Sequence, residues 1–278
     1  MKRIGFVWNP QGERVPELLE RARAWCAAQG ADSWDAPGDA HDRIGEALGA
    51  TDVVFVLGGD GTFLRTARAI GGSGVPALGV NLGRVGFLAK VEPEGLERAL
   101  EQVAADDYTV EDRFRISARI VRADGSSQDH ACLNEVVVAR GSRVRMIQLE
   151  VEVSGSHLAT YVADGVVVAT PTGSTAYSFS AGGSVLDPRL RNMVITPVAG
   201  YLSPLHSVVA GEDHVVRITL REATDGALVS LDGQLDLPIA VGERVEVRAL
   251  DEPLRMVELP GSTPFYDLLR TKASLLPY

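Results

Sequence analysis

The chain has 278 residues, enough for one large domain or two ordinary ones. Hydrophobic residues make up 45% and charged residues 23%, as in ordinary globular proteins, and the formal net charge is −10. This acidic balance argues against a nucleic-acid partner, which would need a basic face, and any phosphate site must be built locally from backbone amides and a few arginines.

The first hundred or so residues alternate between strand and helix patterns. The apolar runs typical of strands lie at 4–8, 52–57 and 75–80. Helical spacing of apolar residues occurs at 16–29, 40–48, 63–70 and 94–105. Strands that alternate with helices imply crossover connections and a mostly parallel sheet. We therefore predict an α/β, Rossmann-like domain over residues 1–110.

Near residue 112 the pattern changes to alternating apolar and polar side chains, which is typical of half-buried strands. Such strands are predicted at 114–120, 133–139, 147–153, 166–169, 215–220, 228–231 and 245–250. Asp124-Gly125 is typical of a hairpin turn. We predict a mostly antiparallel β domain over residues 111–260. A weak helical pattern then predicts that segment 261–278 returns to the first domain.

No run of about 18 apolar residues is present, so we expect no membrane span. The amino terminus enters a short strand pattern and lacks the features of a signal peptide. The two cysteines, Cys26 and Cys132, have no metal-ligand spacing, and buried inert thiols are expected. These features together predict a cytoplasmic protein.

Residues 58–62, Gly-Gly-Asp-Gly-Thr, join a buried strand to a helix. Backbone amides at such a helix start bind anions, and glycines let a phosphate approach the backbone closely. Thr62 is the expected N-cap. Asp60 is unusual, because a carboxylate beside a phosphate is unfavourable unless it accepts a proton from an attacking hydroxyl or holds a phosphate-bridged metal. A tight turn in which Asp60 forms a local hydrogen bond is the structural alternative.

A second motif occupies residues 164–183, where a strand pattern ends at Thr170 and a turn rich in hydroxyls and glycine follows. We expect Ser174 or Thr175 to cap a helix there, while neighbouring hydroxyls and amides face a ligand. Tyr177 offers a ring and a hydroxyl that suit a nucleobase or a ribose. An ordinary capped helix is the alternative, although the density of donors exceeds what capping needs. The absence of a Gly-x-Ser-x-Gly sequence argues against a serine hydrolase.

Two shorter motifs carry weaker signals. Asn134-Glu135 precedes a strand run, and an amide beside a carboxylate can bind a base or the hydroxyls of a ribose. From these two residues alone, a solvated strand start is the favoured interpretation. Residues 232–234, Asp-Gly-Gln, are typical of a hairpin turn. The five histidines have no metal-ligand spacing, so no metal site made by protein side chains alone is predicted.

Taken in this order, the motifs resemble those of the NAD kinase family over nearly the whole chain. The matching stretches are 58–62, 79–88 (Gly-Val-Asn-Leu-Gly-Arg-Val-Gly-Phe-Leu), 134–135, 164–165 and 170–177 (Thr-Pro-Thr-Gly-Ser-Thr-Ala-Tyr). The first stretch is shared with phosphofructokinases and with diacylglycerol and sphingosine kinases, so it indicates only the superfamily. The last stretch is far more specific to the family.

The resemblance implies an N-terminal α/β domain and a C-terminal β domain, with the dinucleotide bound between them. It implies transfer of the γ-phosphate of ATP, with a divalent metal such as Mg²⁺, to the adenosine ribose 2′-hydroxyl of NAD. Asp60 resembles the family's general base. The residues that match NAD-binding positions of the family are Asp60, Gly61, Arg65, Asn134, Glu135, Arg145, Asp164, Thr172, Thr175, Ala176, Tyr177, Ser178, Ser180, Ala199 and Gln234.

The family forms dimers or tetramers whose sites borrow residues from a neighbouring subunit, which implies a homodimer or homotetramer here. One position departs from the family pattern. Relatives often carry Arg two residues before Asp164, and Val162 stands there in this chain, which removes a possible phosphate or carboxylate contact.

Two other functions compete with this interpretation. A kinase of the same superfamily could act on a lipid or a sugar phosphate, but it would need an apolar cleft or basic clamps, and the second motif, rich in Ser, Thr and Tyr, suits neither. A non-catalytic nucleotide-sensing module is the other competitor. The presence of Asp60 in an intact glycine turn argues against it.

Overall fold

The computed structural model describes residues 2–83, 86–141, 145–203 and 205–275, so that Arg84 and Val85 of the 79–88 stretch lie outside the described residues. By its internal contacts the chain divides into two compact units. The first unit comprises the residues up to Asp112 and those from Leu254 onward, and the second is Arg113–Pro253.

The first unit contains a parallel sheet with helices. Its strands are β1 (Arg3–Trp8), β2 (Asp32–Pro37), β3 (Val53–Leu57), β4 (Ala77–Val80), β5 (Ala89–Val91), β6 (Thr109–Arg113) and β19 (Leu254–Glu258). Its helices are α1 (Val15–Gln29), α2 (His41–Ala47), α3 (Asp60–Ile70), α4 (Leu96–Ala104) and α6 (Phe265–Leu275), with 3₁₀ turns at Leu48–Ala50 and Pro93–Gly95.

The strands form one seven-stranded sheet in the order β2-β1-β3-β4-β19-β6, with β5 beside β4. The β1–β2, β1–β3, β3–β4, β4–β5 and β4–β19 pairs are all parallel. Apolar faces of α1 and α4 pack on the central strands in one buried core that includes Leu18, Phe55 and Leu100. The α/β prediction with a mostly parallel sheet is confirmed.

Strand β19 belongs to this sheet, although the predicted domain boundary assigned residues up to 260 to the second domain. Met256 pairs with Ala77 of β4, and Leu254, Met256 and Val257 are buried. A boundary at 253–254 therefore describes the contacts better than one at 260, because these apolar side chains complete the parallel sheet.

The second unit is built from antiparallel strands. They are β7 (Ile116–Val121), β8 (Ser127–Cys132), β9 (Glu135–Arg140), β10 (Ile147–Val153), β11 (Ser156–Ala163), β12 (Gly165–Ala169), β13 (Asn192–Val198), β14 (Val208–Gly211), β15 (Val216–Glu222), β16 (Ala227–Leu231), β17 (Leu235–Ile239) and β18 (Arg244–Ala249). A 3₁₀ turn at Gly173–Thr175 precedes the short helix α5 (Tyr177–Ser180). The predicted hairpin at Asp124-Gly125 joins β7 to β8, which are antiparallel.

These strands form two six-stranded sheets, β11-β10-β15-β18-β7-β8 and β14-β13-β12-β9-β16-β17. Side chains from both sheets, among them Leu149 and Ile218 of the first and Val166 and Ile195 of the second, share one buried core. The two sheets therefore face each other as a sandwich. The prediction of a mostly antiparallel β domain is confirmed.

The chain passes from one sheet to the other at two corners that bear on the site. Residues 133–134 lead from β8 to β9, and Asp164 alone separates β11 from β12. Both corners coincide with sequence motifs singled out above. In the described part of the chain, no helix combines the length and apolar character needed to cross a bilayer.

Candidate functional site

The turn at residues 58–62 lies at the carboxyl edge of the parallel sheet. Gly58 N–H donates to the Val80 carbonyl at 3.0 Å, and Asn9 N–H donates to the Leu57 carbonyl at 3.0 Å, so that the ends of β1, β3 and β4 meet around it. The strand order also reverses its direction between β1 and β3. Ligands of open α/β sheets bind at such a switch point, outside the carboxyl ends of the strands.

Helix α3 begins at Asp60, two residues earlier than the predicted N-cap at Thr62. Gly59 is the N-cap residue and no side chain caps the helix, so the capping prediction for Thr62 is wrong. Thr62 lies inside the first turn, where its N–H bonds the Gly59 carbonyl at 3.0 Å and its hydroxyl accepts a bond from Arg65 at 3.3 Å. Asp60 therefore sits at the positive end of the helix dipole, which favours a carboxylate there.

The Asp60 carboxylate is held by a loop distant in sequence. Phe87 N–H donates to Oδ2 at 2.9 Å and Leu88 N–H donates to Oδ1 at 3.1 Å. Gly86 packs so closely on the carboxylate that a methyl group at Gly86 would overlap it. Each carboxylate oxygen can accept two hydrogen bonds, and each accepts one from these two N–H groups. One lone pair on each oxygen therefore stays available. The local hydrogen bond proposed as the structural alternative is thus not the one that Asp60 makes.

The loop that holds Asp60 is itself packed by the last helix of the first unit. The rings of Phe87 and Phe265 lie with their centroids 6.0 Å apart, and Lys272 Nζ lies 4.2 Å from the Phe87 centroid. No local sequence pattern indicates this contact, because α6 is nearly two hundred residues away.

In the second unit, a group that we call the Glu135 cluster consists of Asn134, Glu135, Thr172, Tyr177 and Asp232. The backbone N–H of Tyr177, at the start of α5, bonds the Glu135 carboxyl group. The turn that contains Thr172 packs directly on the corner at 133–134, since a methyl group at Gly173 would overlap the Asn134 carbonyl. The fold thus brings the Asn-Glu motif and the 170–177 motif together, as the resemblance implies.

Glu135 and Asn134 are buried, with 6% and 8% of their surfaces exposed, so the solvated strand start favoured from the sequence is wrong. Among the described residues, three buried atoms of this cluster have no hydrogen-bond partner: Asn134 Oδ1, Glu135 Oε2 and Thr172 Oγ1. Burial, and after it the charge of Asp232, raises the pKa of Glu135 to about 8. Each unpartnered buried polar atom costs about 1–3 kcal/mol, so three together indicate a ligand site.

Asp232 was singled out only as part of a hairpin turn, and this turn is confirmed. Asp232 and Gly233 have φ of 52° and 60°, and Gln234 N–H closes the turn on the Leu231 carbonyl at 2.9 Å. Sequence reasoning missed the second role of this residue. Its carboxylate accepts bonds from the N–H groups of Leu133, Asn134 and Glu135 at 2.8, 2.7 and 3.0 Å.

The hydroxyls of the 170–177 turn are largely used inside the protein. Neither Ser174 nor Thr175 caps a helix: a 3₁₀ turn and a four-residue helix stand there and, among the described residues, no side chain caps either. Ser174 Oγ donates to the Pro171 carbonyl at 2.7 Å and accepts from Leu186 N–H at 2.9 Å.

Other hydroxyls of this turn are bonded in the same way. The remaining bonds are Thr175 Oγ1 to the Thr172 carbonyl (3.2 Å), Ser178 Oγ with Thr196 Oγ1 (3.1 Å) and Ser180 Oγ to the Ala176 carbonyl (3.4 Å). Tyr177, by contrast, is 43% exposed, so its ring is accessible to a ligand.

A further group, the Asp164 cluster, consists of Arg140, Asp164 and Ala199. Asp164 Oδ1 accepts a bond from Arg140 Nε at 2.7 Å, and Asp164 N–H donates to the Val198 carbonyl at 3.0 Å. Ala199 follows with a φ of 49°. Sequence reasoning missed Arg140. The feature that could have indicated it is its position at the end of the β9 strand, which lies opposite Gly165 and Asp164.

Three more predicted positions can be placed relative to these groups. Arg145 is exposed and lies two residues before β10, whose first residue, Ile147, pairs with Ala163 at the Asp164 end. Val162 is 39% exposed on β11. Gln234 is exposed in the Asp232 hairpin, at the Glu135 end.

The predicted residues therefore form three groups. Asp60, Gly61 and Arg65 lie in the first unit at the start of α3. The Glu135 and Asp164 clusters lie at opposite ends of the five-residue strand β12, because Ala169 pairs with Glu135 and Gly165 pairs with Ala139. At about 3.4 Å per residue, that strand separates them by roughly 17 Å. Such a length suits an extended ligand with chemically distinct ends.

Solved structures share this fold. The chain aligns with yeast NADH kinase complexed with NADH at a TM-score of 0.81 and 22% identity, covering 99% of this chain and 87% of that one. It aligns with an NAD kinase from Archaeoglobus fulgidus in complex with ATP at a TM-score of 0.81 and 24% identity, covering 99% and 100%. At these identities the likeness shows the fold alone.

Sequence comparisons reach further. The chain is 36% identical to the NAD kinase of Heliobacterium modesticaldum over 98% of both chains. It is 40% identical to that of Symbiobacterium thermophilum, over 83% of this chain and 81% of the relative. Residues 5–108 match the family model of the ATP-NAD kinase N-terminal domain, and residues 133–259 match that of the ATP-NAD kinase C-terminal domain. With both domains matched and the Asp60 turn in place, this chain belongs to the NAD kinase family.

Proposed function

We propose that this protein transfers the γ-phosphate of ATP to the 2′-hydroxyl of the adenosine ribose of NAD, which makes NADP. The observation that carries the proposal is the fixed Asp60 carboxylate at the start of α3, in a chain of the NAD kinase family. Gly59 and Gly61, on either side of Asp60, face open space, which leaves room for phosphates beside the backbone amides.

Asp60 is the general base of this proposal. A ribose hydroxyl is a poor nucleophile, so a carboxylate that accepts its proton as the phosphoryl group arrives is worth about 10²–10⁴ in rate. The amides of Phe87 and Leu88 fix the direction of the carboxylate and leave one lone pair on each oxygen to take the proton. A base that is already oriented needs no reorganisation before the proton is transferred, and orientation is a large part of phosphoryl-transfer catalysis.

The donor requires a divalent cation, for which Mg²⁺ fits the residues present. In the described part of the chain, no three His, Cys, Asp or Glu side chains converge on one point. Mg²⁺ keeps several waters and binds through substrate phosphates with one or two carboxylates, so it needs no such cage. The triphosphate and water would hold it, which leaves the Asp60 carboxylate available as the base. When bound, the cation offsets negative charge on the transferring phosphoryl group.

The acceptor is proposed to bind the two clusters of the second unit. The extended separation of the Glu135 and Asp164 clusters suits a dinucleotide, and the unpartnered atoms of Asn134, Glu135 and Thr172 offer it hydrogen bonds. The two solved neighbours are complexes with NADH and ATP, which supports a dinucleotide acceptor and ATP as donor for this chain. The other predicted contacts, from Gly61 to Gln234, remain proposals of the same kind.

A homodimer or homotetramer is also proposed. Several large apolar side chains of the second unit are exposed, among them Phe179 (46%), Tyr201 (61%) and Leu202 (83%), which supports burial against another copy. Both cysteines, Cys26 and Cys132, are buried, which fits a reducing cytoplasm. Sedimentation equilibrium at several concentrations tests the first point, because a monomer at every concentration would contradict it.

The test of the activity is product analysis with NAD and NADH as acceptors and ATP and polyphosphate as donors, in all four pairings. We expect NADP from NAD and ATP. Asp60→Asn should lower turnover by about 10²–10⁴. Asp42→Asn, which removes an exposed carboxylate on α2, is the matched control and should leave turnover unchanged. Failure of the unaltered protein to form NADP would contradict the proposal.

A further inference from the structure

At the corner formed by residues 133–135 the chain leaves one sheet and enters the other. The backbone N–H groups there therefore need hydrogen-bond partners outside the sheet ladders. Backbone N–H groups at such a corner lose their ladder partners, and a buried unpaired N–H is costly. The Asp232 carboxylate takes three of them in succession, those of Leu133, Asn134 and Glu135. Asp232 thus fixes the backbone from which the Asn134 and Glu135 side chains project.

The same contacts stabilise a negative charge on Asp232. Three backbone N–H donors favour the ionised form of a carboxylate. Arg115 is buried, with 6% of its surface exposed, and its positive charge interacts favourably with that of Asp232. Asp232 is therefore a fixed anion inside the Glu135 cluster.

Among the described residues, Glu135 has no comparable set of hydrogen-bond donors. The titratable group that acts on it from the hairpin is Asp232, a like charge, and α5 contributes only the Tyr177 N–H. Its neighbour on β12 is Ala169. Burial and the Asp232 charge raise the pKa of Glu135 to about 8. Two adjacent carboxyl groups in surroundings that favour opposite protonation states are a known way to keep one of them neutral at neutral pH.

We propose that Asp232 is a positioning residue of the NAD site, which fixes the backbone of Asn134 and Glu135 and keeps the Glu135 carboxyl group protonated, so that Glu135 meets the dinucleotide as a neutral O–H donor. This inference rests on the proposed function for its ligand, but the state of Glu135 in the free protein does not depend on it. A neutral donor suits NAD, because the diphosphate of NAD is itself negative and a second buried anion would repel it.

The protonation state can be measured without any ligand. In protein labelled with ¹³C at the glutamate carboxyl groups, the resonance that Glu135→Gln removes should titrate with a midpoint near pH 8. Asp232→Asn should lower that midpoint by about one pH unit, since it removes the like charge. Asp236→Asn, an exposed acid of the same hairpin, is the control and should leave it unchanged.

A midpoint near 4.5 in the unaltered protein, or one that Asp232→Asn does not move, would overturn the proposal. Asp232→Asn keeps one acceptor oxygen but places an amide against an N–H group, so it can weaken folding. If it does not fold, the midpoint of the unaltered protein and the binding experiment below still decide the matter.

The binding experiment measures the Kd for NAD by calorimetry between about pH 6 and 9. If only the protonated form binds, the Kd rises about tenfold at one pH unit above the midpoint, because the competent fraction falls in proportion. Glu135→Gln, a permanently neutral mimic, should bind NAD with little pH dependence. Binding that does not vary with pH in the unaltered protein would overturn the proposal. Absence of NAD binding at every pH would instead contradict the proposed function. The NMR midpoints would still test whether Asp232 keeps Glu135 protonated.

Discussion

Gly86 and Asp60 occupy one tightly packed point in the first unit. A side chain at Gly86 would overlap the Asp60 carboxylate, whereas Gly83, three residues earlier in the same loop, faces open space. The absence of a side chain at Gly86 therefore leaves room for the observed orientation of the Asp60 carboxylate, and the two glycines form a matched pair for a test.

Gly86→Ala should lower kcat by roughly 100-fold, because a displacement of about 1 Å in a catalytic group has an effect of that size. Gly83→Ala should stay near the activity of the unaltered protein, since its methyl group meets no atom of the described residues within 4 Å. Steady-state kinetics with NAD and ATP measure both variants. Equal activity of the two variants would show that the Gly86 contact does not position Asp60.

Glu135 also predicts a pH dependence of stability. Its pKa is raised from 4.5 to about 8 on folding, so between these values the folded state holds a proton that the unfolded state has lost. The free energy of unfolding therefore falls as pH rises through this window, by an amount on the order of a few kcal/mol.

Glu135→Gln has no carboxyl group to titrate, so it does not lose stability in this window. It should therefore become progressively more stable than the unaltered protein between about pH 5 and 8.5. Urea unfolding at each pH measures the difference. Glu222→Gln, an exposed change at the end of β15, is the control and should follow the unaltered protein. A constant difference between Glu135→Gln and the unaltered protein across the window would contradict the raised pKa.

At the scale of residues, the sequence singled out candidate side chains for the chemistry but not the groups that hold them. Asp60, Asn134 and Glu135 stand out because their chemical types are unusual at those points. Their partners are Leu88 and Asp232, which are 28 and 97 or more positions away. Local patterns carry no information about such pairings, so the burial of Glu135 and the second role of Asp232 appear only in the folded chain.

Helix α6 is the element whose role is least visible in the sequence. Phe265 and Lys272 contact the ring of Phe87, whose N–H holds Asp60. A cation over an aromatic ring is worth about 0.5–1 kcal/mol at an exposed site. Contacts of this size bias the position of a loop without being needed for folding.

Lys272→Ala should therefore lower kcat by a few-fold and leave the KM for NAD nearly constant. Phe265→Ala should have a larger effect of the same kind, because it removes the ring packing as well. Thr271→Ala, a change at an exposed neighbour on α6, is the control and should leave kcat unchanged. If all three variants have the same kcat, the helix does not act on the Asp60 loop.

At the scale of elements, prediction succeeded for most strands and helices with a clear apolar period. It failed at the edges of the sheets, at the short strand β5 and at the interior strands β13 and β19. The outermost strands β2, β6, β8, β11, β14 and β17 were all missed. Edge strands have neighbours on one side only and carry polar or charged residues, as β8 (Ser-Gln-Asp-His-Ala-Cys) shows. The capping prediction for Ser174 and Thr175 was wrong, because their hydroxyls are equally suited to bonds within a 3₁₀ turn.

At the scale of the whole molecule, alternating strands and helices followed by alternating side chains were enough to predict an α/β part and a β part. The return of β19 to the first sheet was not predictable, since a five-residue strand of mixed apolar and charged residues (Leu-Arg-Met-Val-Glu) looks the same in either sheet. What distinguishes it is its pairing with β4, nearly 180 residues away in sequence.

The central claim is that this chain phosphorylates NAD at the adenosine ribose. The most direct measurement is ³¹P NMR of the product formed from NAD, ATP and Mg²⁺. We expect one new phosphomonoester signal, assigned to the 2′-position by its identity with authentic NADP, and its loss in Asp60→Asn. No phosphomonoester, or a phosphate at another hydroxyl, would contradict the account.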